Sequence, residues 1–139
     1  MNGFERVLPF LIPVFFLGIW FLVLRIISLV SGWTQLAERF PHAGEFRGTL
    51  YHGQSARLRG ANFNGILELG VGEEGMYLSL MVIFRPFHRP ILVPWGEISA
   101  EPVSKFLFRG MGLTFRSFPD ITLELSNRTF EKLKGHIGA

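Results

Sequence analysis

The sequence predicts an α+β protein in which a single N-terminal transmembrane helix precedes an antiparallel β-sandwich or barrel of about seven strands and a short C-terminal helix. Three observations predict it. Val7 to Leu24 reads VLPFLIPVFFLGIWFLVL and carries no charged or strongly polar side chain. From residue 46 onward the apolar residues recur with a period of two, which marks half-buried strands. After Ser126 the period changes again, with Phe130 and Leu133 three apart on one helical face.

The N-terminal run sets the length of the first element. Eighteen helical residues rise about 27 Å, close to the roughly 30 Å hydrocarbon core of a bilayer. Arg25 interrupts before IISLVSGW continues, so a span extended through Val30 needs Arg25 to snorkel to the interface. A cleaved signal peptide is disfavoured, because Glu5 offsets Arg6, the apolar core is too long, and LVSGW is a poor cleavage site. A domain this small has too little surface to bury such a helix on every face. Pro9 and Pro13 fall in the early turns, where a missing N–H costs least, and Pro13 is a candidate kink. Arg6 stands alone before the span, whereas Arg25, Arg39 and Arg47 lie at or beyond its far end. The positive-inside rule therefore expects the body in the cytoplasm. The absence of cysteine is compatible with that compartment.

Residues 1–31 are thus read as a transmembrane anchor, 32–45 as a juxtamembrane helix and linker, and 46–139 as the β domain. In GWTQLAERFP, Trp33, Leu36, Ala37 and Phe40 form one apolar stripe that Pro41 stops. Beside a membrane span, Trp33 suits the interface; packing of the same stripe on the domain is the competing expectation. Strands are expected near 46–51, 54–59, 65–71, 75–84, 90–95, 105–116 with a break at Gly110, and 120–126. The breaks GANFNG, GEEG, FRPFHRP and SFPD are turn chemistry. Ser126 or Asn127 can cap the last helix, and Gly135 can stop it.

The stretch GILELGVGEEGMYLSL, leading through a basic loop to PILVPWGEIS, with seven short strands and one C-terminal helix, resembles the pleckstrin-homology-like (PH-like) superfold. Within it the likeness is to GRAM-like and bacterial PH-like domains, over about residues 46 to 137. Gly75 to Leu80 and Leu92 to Ile98 carry the family's pattern, while the C-terminal helix is shorter than is usual there. The resemblance implies a non-catalytic binding or scaffolding module, often at membranes, here at a bacterial inner (plasma) membrane.

Chemistry-bearing motifs are sparse. GVGEEG matches the spacing of a dinucleotide loop, but a strand follows instead of a helix, and Glu73 and Glu74 occupy the place phosphate needs. It reads as a hairpin turn, so no nucleotide or other cofactor is expected. His42, His52, His88 and His136 show no metal-ligand spacing. Glu97 and Glu101 have the i, i+4 spacing of one helical face, but with no base or nucleophile nearby they read as two solvated carboxylates. No serine sits in a nucleophile elbow, and no catalytic residue is expected. Removing Arg6, Arg25 and Glu5 from 14 basic and 11 acidic side chains leaves the body 12 and 10, too balanced for nucleic-acid binding.

The remaining candidate is FRPFHRP, residues 84 to 90. Pro86 and Pro90 forbid regular pairing, so the segment is a loop. Phe84 and Phe87 are suited to headgroup depth, Arg85 and Arg89 to lipid phosphates, and His88 lies between them. With Trp33 these residues form the expected contact with a membrane or partner. A rigid turn folded back on the core is the plainer expectation. The expected function is a single-pass module that binds a membrane surface or a protein partner without catalysis. The alternative is a small accessory subunit of a larger integral-membrane complex, recognised through its transmembrane helix.

Overall fold

A computed structural model describes residues 3–105 and 108–137 of the chain. Helix α1 (Gly3–Ser31) is followed by α2 (Trp33–Arg39). Seven strands come next: β1 (Thr49–Leu58), β2 (Ala61–Val71), β3 (Gly75–Leu80), β4 (Ile91–Pro94), β5 (Ile98–Lys105), β6 (Phe108–Phe115) and β7 (Phe118–Ser126). A short α3 (Asn127–Phe130) ends the order. All neighbouring strands are antiparallel, in the order β4-β3-β2-β1-β7-β6-β5, so β1 joins the two halves of the sheet.

That junction depends on two glycines. Gly53 and Gly65 have φ of 65° and 70°, a region costly for residues with a Cβ, and the β1–β2 register shifts between Tyr51 and Ala56. Beyond this bulge Ala56 to Leu58 pair with β7 as well as β2. The expected strands 46–51 and 54–59 are therefore one bent strand, with its turn at Arg59-Gly60. The seventh strand is β5, which the sequence reading missed. It is an edge strand containing Pro102 and fully burying only Ile98, so it lacks the alternation that betrays a strand. Glu101 accordingly lies in an extended strand and shares no helical face with Glu97. Strand β6 runs through Gly110 without a break; residues 106 and 107 of the expected 105–116 strand lie outside the described residues.

The core is built from Leu58, Leu67, Leu69, Met76, Leu78, Leu80, Ile91, Leu113, Phe115 and the Ile121–Leu123–Leu125 face of β7. Its two ends are capped by different helices. Trp33, Leu36, Ala37 and Phe40 of the α2 segment are buried, with Trp33 on Phe63 and Phe40 against Phe118 at the start of β7. The packing expectation for this stripe is the correct one, and Trp33, only 1% exposed, offers nothing to an interface. Gly32 permits the approach with φ 85°; a Cβ there would lie 2.6 Å from Ile121 Cδ1. Past α2 the chain covers the β4 edge, where Phe40 O accepts from Leu92 N and Pro90 O from His42 N. At the other end Ser126 caps α3 by accepting from Thr129 N at 3.2 Å, and Leu133 is buried.

Helix α1 is long and apolar enough to cross a membrane. Its side chains from Val7 to Val23 are exposed, whereas Leu24, Ser28 and Ser31 near its C-terminal end are buried against the β domain.

Two outcomes test this packing. Leu123→Asp should unfold the domain, because a buried unpaired carboxylate costs several kcal/mol, while Thr122→Asp on the opposite face should be far milder; circular dichroism melts of both variants make the comparison. A fragment beginning at His42 should lack a cooperative melt, since it removes Trp33, Leu36 and Phe40 from the core.

Candidate membrane-interface site

Strand β3 was expected to reach residue 84 but ends at Leu80. Met81 N still donates to Ile66 O, then the chain leaves the sheet in a 3-10 turn, Val82–Phe84. Phe84 N donates to Met81 O at 2.8 Å and Arg85 N to Val82 O at 3.3 Å. Pro86 follows and blocks a return to strand pairing.

The loop folds onto the apolar helix. Trp20 Nε1 donates to Ile83 O at 3.2 Å, Ser28 Oγ to Phe87 O at 2.6 Å, and Trp33 Nε1 to Arg89 O at 2.8 Å. Because Ser28 spends its proton on Phe87 O, the Thr34 hydroxyl must donate in the 2.5 Å contact between the two side chains. Phe84 packs on Trp20 with ring centroids 5.3 Å apart. Phe87 sits edge-on to Phe21 at 6.5 Å, with the Arg25 guanidinium 5.5 Å from its ring centroid. Phe87 adopts φ 63°, a left-handed conformation costing about 1 kcal/mol for a residue with a Cβ. The observed backbone holds its carbonyl on Ser28 while its ring lies on α1.

The six candidate residues separate into distinct roles. Trp33 and His88 are buried, so neither presents a surface to solvent, lipid or partner. Arg85 is turned back on the domain: its Nε donates to Leu80 O at 2.8 Å and a terminal nitrogen lies 3.5 Å from Glu68, which His52 also approaches at 3.3 Å. Phe84 is half-buried against α1. Phe87 and Arg89 are exposed, and Arg85 also keeps 46% of its side chain exposed beside Glu68. The reading from sequence missed Met81, Val82 and Ile83, which are 43%, 67% and 57% exposed beside Trp20. Their period-two continuation from β3 disguised them as strand; the nearby Pro86 was the available signal that the strand stops early.

His88 is enclosed by Trp33 and Phe63, with ring centroids 5.4 and 5.9 Å away. Its Nδ1 lies 2.9 Å from Pro86 O, which only accepts, so Nδ1 carries the proton and Nε2 is left buried without a partner. Burial pushes its pKa below the usual histidine value, opposed by the Pro86 carbonyl.

Elsewhere an open cleft of about 690 Å³ lies between the 42–49 segment and the β2–β3 turn, lined in part by His42, Arg47, Glu73, Glu74 and His136. In that turn Gly72 N donates to Gly75 O and a strand follows, as a hairpin requires. Among the described residues no three His, Asp or Glu side chains gather as a metal ion would need. Comparisons with protein-family models, curated proteins and solved structures give no match.

The state of His88 gives a pH prediction. A group whose folded pKa is depressed stabilises the fold above its unfolded pKa of about 6.5, and that contribution is lost as pH falls through the folded value. The melting temperature should therefore drop below pH 6.5, and His88→Phe should flatten this part of the profile.

Proposed function

We propose that the chain is a single-pass, membrane-anchored PH-like module without catalytic activity, whose β domain lies against the cytoplasmic membrane surface. The observation that carries the reading is the docking of the 81–90 loop along the C-terminal half of the apolar helix α1, secured by Trp20, Ser28 and Arg25. A module tethered only by a flexible linker has no need of such a junction. Here α2 enters the core directly after α1, so the anchor and domain act as one body.

The PH-like assignment is supported by the order of strands, a meander in which β1 pairs with both β2 and β7, and by a helix after β7. It differs in that α2, rather than an extended C-terminal helix, covers the end containing Phe63 and Phe118. Binding to the membrane surface falls to Phe87, Arg89 and Arg25. A basic side chain near an anionic surface contributes about 1 kcal/mol, useful where the anchor already holds the domain close.

The test is extraction and topology. The full chain should remain in the membrane fraction after alkaline carbonate washing, and a reporter fused after Ala139 should be active only in the cytoplasm, because Arg25, Arg39 and Arg47 outweigh Arg6. Release by carbonate would remove the anchor from this reading, and an exported reporter would reverse its orientation. Replacing Val7 to Ile19 by leucine should preserve these properties; loss of a co-purifying membrane complex would favour the accessory-subunit reading.

A further inference from the structure

Resting on the proposed membrane anchoring, we infer that the 3-10 turn carrying Met81, Val82 and Ile83 is a second inserted element, entering the hydrocarbon of the same leaflet that α1 leaves. The turn lies beside α1 at the level of Trp20, to which Ile83 O is hydrogen-bonded. Arg25 is the first charged residue after Val7 and marks the headgroup level. Trp20 lies five residues before it, about 7.5 Å deeper along the helix axis. A turn fixed at that level lies beneath the headgroups, at the depth reached by interfacial apolar segments.

The chemistry of the turn fits an apolar surrounding. Val82, Ile83 and Met81 are exposed and contiguous with the exposed face of α1, so the patch continues the lipid-facing surface. A carbonyl placed in hydrocarbon needs an internal donor, and Ile83 O receives the Trp20 indole N–H while Met81 O and Val82 O receive Phe84 N and Arg85 N. Arg85, the one charge next to the turn, is directed away to Glu68 and Leu80 O. Arg25 and Arg89 remain exposed at the polar margin. Hydrocarbon is the occupant to which this arrangement commits, because the patch has no charged side chain of its own and extends a helix already suited to lipid.

The chain has no cysteine, so single cysteines can carry an environment-sensitive fluorophore without background labelling. Val82→Cys, Phe16→Cys and Glu73→Cys would each be labelled in the full chain, in vesicles of phosphatidylcholine and phosphatidylglycerol with brominated acyl chains. Glu73 lies at the far end of β3, about 17 Å from the turn, and reports the aqueous side. The expected result is blue-shifted emission and bromolipid quenching for Val82 and Phe16, with aqueous iodide quenching only Glu73. If Phe16 is lipid-quenched while Val82 is quenched by iodide, the turn is not inserted and the inference falls while the anchor stands. If Phe16 itself escapes bromolipid, the anchoring fails and takes the inference with it. Val82 shielded from both quenchers would mean a protein surface covers the patch, in a second copy or a partner, and would overturn insertion. Val82 is well exposed, so the label leaves the core untouched.

Discussion

Three backbone carbonyls of one proline-containing loop join the long apolar helix to the β domain: Ile83, Phe87 and Arg89 each accept a hydrogen bond from a side chain of the α1–α2 segment. A loop with prolines at 86 and 90 cannot satisfy its polar groups by strand pairing. Trp20, Ser28 and Trp33 supply the missing donors, spaced eight and then five residues apart along the helical segment. A hydrogen bond adds only about 1 kcal/mol net, but leaving a desolvated acceptor bare costs about 1–3 kcal/mol, so the part-buried Phe87 and Arg89 carbonyls depend most on their donors. The loop conformation, including the left-handed Phe87, follows from this geometry.

The same constraint places α2 inside the core. Once Ser28 and Trp33 are both engaged by the loop, the chain must turn between them, and Gly32 makes that turn against Ile121. Trp33, Leu36 and Phe40 then fill an end that the short α3 at the opposite end cannot reach. Apolar burial of these large side chains contributes roughly 1.5–3 kcal/mol each, a substantial part of what a domain of this size needs. A helix that looks like a juxtamembrane connector is therefore a core element.

Much of this was legible in the residues. The long apolar helix and the interior face of β7 follow from length and period, and the turn chemistry offered Ser126 or Asn127 as the C-terminal cap, of which the structure uses Ser126. Strand β5 was illegible, since an edge strand with Pro102 has little core to reveal. The merger of two expected strands into β1 was hidden because Gly53 reads equally well as a turn or a bulge. For the candidate site, the loop was visible through its prolines, but the direction of each side chain was not. Arg85 and Arg89 look equivalent in sequence, and only the position of Glu68 across the sheet turns one of them inward. His88 and Trp33 look interfacial for the same reason: amphipathic rings suit both a headgroup layer and a core with one polar partner.

That division of the loop decides which force would hold it on a membrane. With Arg85 partly engaged by Glu68, Arg25 and Arg89 would be the main contacts for lipid phosphates, and salt screens such contacts over about 8 Å at physiological ionic strength. At about 1 kcal/mol for each basic residue, electrostatics supplies roughly 2 kcal/mol. Burying Val82 and Ile83, each more than half exposed, offers a comparable or larger contribution at about 25 cal/mol per Å² of apolar surface, with no dependence on anionic lipid. On the proposed reading, apolar insertion would at least equal the electrostatic contribution, and the arginines would fix depth and orientation. With both apolar elements inserted as proposed, a domain that has α2 in its core would have little freedom to swing away from the surface. Under that proposal a partner of the β domain would approach close to the bilayer, from the side or from the open cleft at the far end of β3.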